Sequence, residues 1–214
     1  MDDCKVVSIF GASGRVGKEA VKLALLQGYK VKAHCRPKAN CDLKHENLSV
    51  FKGEITNYEL IKDIVNESSC VIIVLGQRKP YTDIFCKTAS EMIVKAMKEC
   101  GARRLVCLTG AMIGDSDANL TFPFKMLKRL MNRRNPALFN DRAGQEDTIK
   151  GSDTDWTLVK PPRLVENGER KIFIYSETLK MGLSSSIGFD DLAEFLVEQI
   201  KSKDYLHKSV YVKY

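Results

Sequence analysis

Short apolar runs along the chain alternate with longer stretches whose apolar residues recur every three or four positions. The runs lie at 5–10, 30–35, 48–52, 71–75, 104–108 and 156–160, and helical patterns fill 17–27, 57–65, 88–100 and 141–150. A brief run that is apolar on both faces reads as a strand covered on both sides. Such strands alternating with amphipathic helices predict an α/β protein with one doubly wound parallel sheet. A closing helix is expected over 190–201, opened by an acidic first turn, and 209–213 alternates like an edge strand. The whole of 1–214 is expected to form one domain, with an insertion over 113–140 after the fifth strand acting as a lid.

The first apolar run breaks into Gly11-x-x-Gly14-x-x-Gly17, and a helical pattern follows at once. A strand, a glycine turn and a helix N-terminus in that order can cradle a pyrophosphate, the Rossmann-type arrangement. Gly11 allows the tight turn, Gly14 lets backbone approach phosphate, and Gly17 lets helix and strand pack closely. The second run ends in Arg36-Pro37-Lys38, where an NAD-preferring site would place a carboxylate for the ribose hydroxyls. A guanidinium there suits a 2′-phosphate by charge and fork geometry, so NADPH is the expected cofactor.

In this fold the ligand lies along the carboxyl ends of the strands. Those ends fall at the Gly11 loop, Arg36, Gly53-Glu54-Ile55, Leu75-Gly76-Gln77-Arg78, Thr109-Gly110-Ala111 and Pro161-Pro162-Arg163. Typical short-chain dehydrogenases place Tyr-x-x-x-Lys on a helix near the nicotinamide, so that the lysine lowers the pKa of the phenol that gives up its proton. The one such match, Tyr58-x-x-x-Lys62, sits on the helix after the third strand, too early in the fold, and reads as a surface pair. The usual serine after the fifth strand is also missing, which argues against an alcohol dehydrogenase mechanism and against a sugar epimerase or dehydratase.

Composition narrows the partners. With 44% hydrophobic residues in 214 the chain can bury a full core. No apolar run is long enough to span a bilayer, and the acidic start is unlike a signal peptide, so a cytoplasmic protein is expected. The net charge of +7 is scattered and carries no aromatic-interleaved nucleic-acid motif. Seven cysteines (4, 35, 41, 70, 86, 100 and 107) form no Cys-x-x-Cys pair, and reduced, mostly buried thiols are expected. His34, Cys35, Cys41 and His45 match no zinc spacing, and neighbours on a strand point to opposite faces, so no metal site is expected.

The glycine motif, the strand and loop at 71–76 with Leu75-Gly76-x-Arg78, the stretch Trp156-Thr-Leu-Val-Lys-Pro161-Pro162-Arg163-Leu164 and Asp190-Asp-Leu-Ala-Glu-Phe-Leu together resemble the atypical short-chain dehydrogenases. Within them the chain is most similar to the NmrA-like, NAD(P)H-binding branch that includes NADPH flavin reductase/biliverdin-IXβ reductase. The resemblance runs from about residue 5 to residue 212. It implies hydride transfer from NADPH to a planar conjugated acceptor: a flavin (as substrate rather than prosthetic group), a linear tetrapyrrole or a quinone. Carried over by position, it implies that Gly11, Ser13, Gly14, Arg15 and Val16 hold the pyrophosphate and Arg36 the 2′-phosphate. Glu54, Ile55, Leu75, Gly76, Gln77 and Arg78 would line the cofactor path, and Thr109, Gly110 and Pro161 would flank the nicotinamide.

Two departures bear on catalysis. Gly110 stands where the resemblance would place a serine, and Arg163 replaces a histidine after the double proline. Arg163 could bind an anionic group of the acceptor or pair with a nearby acid. Glu146 aligns with a recurrent acid of the branch and is a candidate proton relay, beside the plainer reading of an exposed helical glutamate. Thr109, Gly110, Glu146 and Arg163 are thus the candidate catalytic positions.

The segment 122–134 has apolar residues at 124, 127, 130 and 131 and cations at 125, 128, 129, 133 and 134. That is a short basic amphipathic helix: a lid over an anionic acceptor, a surface for anionic lipid or a partner, or an ordinary helix with its stripe on the core. Phe122, Phe124 and Met126 are candidate stacking surfaces. The sequence therefore points to an NADPH-dependent reductase, monomeric or weakly homodimeric. A non-enzymatic NADP(H)-binding redox sensor stands as the alternative, because cofactor-binding residues look alike in both.

Overall fold

The computed structural model describes residues 6–41, 43–77, 84–166 and 171–214. In chain order the elements are β1 (Val6–Phe10), α1 (Arg15–Leu26), β2 (Lys30–Cys35), β3 (Leu48–Lys52), α2 (Tyr58–Val65), β4 (Cys70–Ile73), α3 (Cys86–Cys100) and β5 (Arg104–Leu108). There follow α4 (Phe122–Arg134), α5 (Pro136–Lys150), β6 (Asp155–Lys160), β7 (Arg163–Val165), β8 (Ile174–Ser176), β9 (Ser186–Gly188), α6 (Phe189–Glu198) and β10 (Lys208–Lys213). An eight-stranded sheet runs in the order β3-β2-β1-β4-β5-β6-β10-β8, parallel except for β8, and β7 pairs with β9 separately. The strand order reverses between β1 and β4, which opens a crevice at their carboxyl ends.

Alternation along each strand divides the core into two layers. Val7, Ile9, Val31, Ala33, Ile72, Val106 and Val159 face α1 and α6, while Phe10, Val71, Ile73, Leu105, Cys107 and Leu158 face α2, α3 and α5. Both faces being covered explains why the strands read as continuous apolar runs. Polar exceptions among the strand residues include Ser8, fully buried, whose hydroxyl donates to the Ile64 carbonyl at 2.5 Å.

The six expected strands and the helices between them form, with ends displaced by a few residues; residue 5 lies outside the described residues. The 209–213 strand is not an edge: β10 lies between β6 and β8, and Val210, Tyr211 and Val212 are consecutively buried. Tyr211 reads as the polar half of an alternation, yet its ring fills the second face.

The expectation of reduced thiols also needs correction. Cys35 and Cys41 form a disulfide, closing the loop that carries Arg36, while Cys70, Cys86, Cys100 and Cys107 remain thiols and Cys4 lies outside the described residues. The chain turns back after Arg36, with Ala39 N–H donating to the Arg36 carbonyl at 3.0 Å, and this returns Cys41 to the end of β2. Cys35 faces the α1 layer, and His34 points to the opposite face, against Phe10, at 5.8 Å between ring centroids. Peptide mapping without reduction is therefore expected to return a Cys35–Cys41 linked fragment. Cys41→Ser should cost roughly 2 kcal/mol in the urea midpoint under oxidising conditions and little under reducing ones.

His34 is buried, and its Nε2–H donates to the Gly53 carbonyl at 3.0 Å, whereas Nδ1 has no partner among the described residues. Burial holds its pKa below the ordinary 6.5, against the opposing pull of the Gly53 hydrogen bond. Between the folded value and 6.5 the unfolded chain binds more protons, so stability is full above 6.5 and declines as pH falls through the folded value. Urea unfolding at stepped pH should show that decline, and His34→Gln should flatten it.

Candidate functional site

The glycine loop is shaped by contacts that no side chain could share. Gly11 has φ +93°, and a Cβ there would lie 2.7 Å from the Val74 carbonyl oxygen, so β1 and β4 can approach only across a glycine. A Cβ on Gly17 would collide with the Gly11 carbonyl oxygen. Gly14 caps α1 without a side-chain hydrogen bond, and the first turn of α1 holds no acid. The N–H groups of that turn therefore face the loop uncapped, with the positive end of the helix dipole behind them. These spaces and donors fit a dinucleotide diphosphate. Ser13 and Gly14 are partly accessible and Val16 is buried, so Val16 can contribute backbone alone.

Two arginines flank the loop. Arg36 is exposed at the end of β2, beside the backbone bridge from Ala12 N–H to the His34 carbonyl (3.1 Å). Arg15 reaches across to Glu166 at 3.2 Å and lies over the Phe189 ring, 4.5 Å from its centroid. Both members of that pair are exposed, so it is weak and Arg15 can exchange partners.

Beyond the crevice, Leu75 is buried with Ile55 and Phe10, Glu54 and Gly76 are exposed, and Gln77 donates to Asp141 at 2.6 Å. Arg78 lies outside the described residues. Asp141 also accepts the Cys86 and Lys87 backbone N–H groups, both at 2.9 Å, and so caps α3 from a different helix. Next to it, buried Arg142 donates to the carbonyls of Leu75 (2.9 Å), Leu108 (3.1 Å) and Thr109 (2.9 Å). One guanidinium thus joins the chain just past β4 to the end of β5.

Glu146 is not the exposed helical acid of the plainer reading. It is 0% exposed, accepting from the Thr109 hydroxyl at 2.7 Å and from Lys160 Nζ at 2.8 Å on each carboxylate oxygen. Lys160, equally buried, also donates to the Ile113 carbonyl at 2.8 Å. Burial pulls the Lys160 pKa below the usual lysine range, and the facing Glu146 opposes that pull. Gly114, at φ +59°, passes so close to Glu146 that a side chain there would meet the carboxylate. The sequence reading missed Lys160, Asp141 and Arg142. The available signal was a lysine closing an otherwise apolar strand.

The remaining candidates sit around this cluster. Thr109 N–H donates to the Val159 carbonyl (2.9 Å) and Ala111 N–H to the Pro161 carbonyl (2.8 Å), which binds the loops after β5 and β6 together. At Gly110 a Cβ would meet only Ile113, at 3.5 Å, so nothing in the packing demands glycine there. Arg163 is exposed on β7, and no described carboxylate forms an ion pair with it. Tyr58 and Lys62 tie α2 to α3: Lys62 pairs with Glu99 at 2.9 Å and Lys95 lies over the Tyr58 ring. Phe124 is committed to a small core with Ala111, Leu120, Met181 and Tyr211 and cannot stack on a ligand, while Phe122 and Met126 are exposed. Among the described residues no group of His, Cys, Asp and Glu could hold a metal, and no helix is long and apolar enough to cross a membrane.

A doubly wound sheet with an uncapped glycine loop at its switch point defines a nucleotide-binding α/β protein. The chain belongs to the NAD(P)H-binding family, whose pattern matches residues 11–203. Its fold is similar to that of a short-chain dehydrogenase/reductase from Veillonella parvula (TM-score 0.80, 14% identity, covering 97% of this chain and 93% of that one). It is also similar to a second, wide-type member from that organism, solved in complex with NADP (TM-score 0.78, 13% identity, 97% and 94% covered). A third similar structure is ChuY, described as an anaerobillin reductase, from Escherichia coli O157:H7 (TM-score 0.77, 15% identity, 97% and 96% covered).

Breaking the buried pair from one side strands a charge. Glu146→Gln and Lys160→Met should each cost about 3 kcal/mol in urea unfolding, and the double variant far less than their sum.

Proposed function

We propose that the protein is an NADPH-dependent oxidoreductase that reduces a planar, conjugated acceptor: a flavin taken as substrate, a linear tetrapyrrole or a quinone. The observation that carries this reading is the commitment of the acid–base groups beneath the rim. The Thr109 hydroxyl is donated to Glu146, and both Glu146 oxygens are held by Lys160. An acceptor that needs a proton delivered during hydride transfer would find these groups already occupied. A conjugated acceptor spreads the incoming charge over its own atoms and needs orientation above all. The neighbour described as an anaerobillin reductase supports a tetrapyrrole among these acceptors.

NADPH supplies the hydride when bound. The uncapped N–H groups at the start of α1, with Ser13 and Gly14, would hold its diphosphate. Arg36 would meet the 2′-phosphate, and Arg15 can swing from Glu166 toward the diphosphate. Ile55, Leu75, Gly76 and Gln77 would border the path to the nicotinamide, and Thr109, Gly110 and Pro161 would form its far wall. Arg142 holds the ends of two strands at fixed separation, so the wall keeps its shape as ligands exchange. Arg163 offers a cation to a carboxylate or phosphate on the acceptor.

Loss of reduced-nicotinamide absorbance with FMN, riboflavin, a quinone and biliverdin in turn, with NADH as control, tests the proposal. Saturable turnover with NADPH is expected for at least one acceptor. Arg36→Glu should raise the KM for NADPH roughly 30- to 100-fold with little change in kcat. Tight NADPH binding without turnover of any acceptor would identify an NADP(H) sensor instead.

A further inference from the structure

The outer face of α4 is not used by the fold or by the proposed chemistry. Its inner face is fixed: Phe124 and Leu127 pack on Ala111, Leu120, Met181 and Tyr211. Lys128 donates to the Gly114 carbonyl at 3.0 Å, to Ser116 at 3.1 Å and to Asp117 at 2.8 Å. The orientation of the helix is therefore set, and what points away from the core does so permanently. Phe122, Met126 and Leu130 are 73%, 48% and 46% exposed. At about 100° per residue these three fall within an arc of about 80°. Leu183, 58% exposed, follows the Met181 carbonyl that accepts the Thr121 N–H at the start of α4.

The charges on this helix are of one sign. Arg129, Arg133 and Arg134 are exposed on the same outer half as the apolar residues, Lys125 borders it half-buried, and α4 contains no acid. No described carboxylate forms an ion pair with any of these four. A short apolar ridge bordered by long cationic side chains has the composition of a helix that lies in a membrane interface. There the apolar residues enter the acyl boundary and the cations reach the headgroups. The ridge is about 12 Å long. An anionic bilayer would add attraction at every cation.

We propose that the outer face of α4 docks the protein peripherally on a membrane surface rich in anionic phospholipid. Cosedimentation of the full chain with phosphatidylcholine vesicles, with and without phosphatidylserine, tests this without requiring turnover. Binding to the phosphatidylserine vesicles alone is expected. Lys125→Glu/Arg129→Glu should weaken it more than about tenfold. Phe122→Ser/Leu130→Ser should also weaken it, because the apolar ridge is part of the contact. Phe122, Arg129 and Leu130 are exposed and Lys125 is half-buried, and unchanged thermal unfolding of both variants would show that the fold is intact. Absence of vesicle binding, or binding indifferent to the serine variant, would overturn the proposal. So would a concentration-dependent dimer dissolved by the same substitutions, which would assign the face to a second copy of the chain.

Discussion

Parallel strands that stop at a ligand-binding edge leave carbonyl groups without partners, and a ligand site cannot bury them unsatisfied. Arg142 meets that constraint here. From α5 it donates to the Leu75, Leu108 and Thr109 carbonyls, which lie just past β4 and at the end of the adjacent β5. Asp141, one residue earlier, satisfies the first N–H groups of α3 and the Gln77 side chain. Two adjacent charged residues therefore organise the start of one helix and the ends of two strands.

The Glu146–Lys160 pair continues the same design further along α5. Burying two charges is costly, and a well-packed apolar pair would often be equally stable. What the ion pair adds is direction. Lys160 can satisfy Glu146 and the Ile113 carbonyl only with the loop after β5 in one conformation, and Gly114 is the residue that lets this loop pass. The pair thereby fixes the backbone that carries Thr109 and Gly110 toward the rim.

The sheet and the glycine loop were legible in the sequence because their signals are local. Buried strands read as apolar runs, and a backbone at φ +93° beside Val74 admits only glycine. Apart from Glu146, which the family resemblance pointed to, the organising face of α5 was not legible for a physical reason: its buried positions are Asp141, Arg142, Gln145, Glu146 and Ile149, so hydrophobic periodicity passes over it. Only the partners, distant in sequence, make those residues an interior. β7, β8 and β9, at three residues each, are too short to show a period. The Cys35–Cys41 bond depends on how the loop after Arg36 turns back, which spacing alone does not specify. Tyr211 misled in the opposite sense, an aromatic ring counted as polar in a strand buried on both sides.

The two halves of the rim are built on opposite principles. On the cofactor half, the α1 terminus is uncapped and Arg36 is exposed, so polar groups are left for a ligand to satisfy. On the acceptor half, Thr109, Glu146 and Lys160 satisfy one another and leave little for a ligand to claim. In the reductase proposed above, binding energy would therefore come mainly from the nucleotide, and the acceptor would be held by shape and by surface cations such as Arg163. A site of that kind discriminates its nucleotide sharply and its acceptor loosely, because unpaired polar groups penalise a wrong ligand far more than apolar walls do. On the proposed function, breadth toward conjugated acceptors would follow from the same hydrogen bonds that hold the far wall in place.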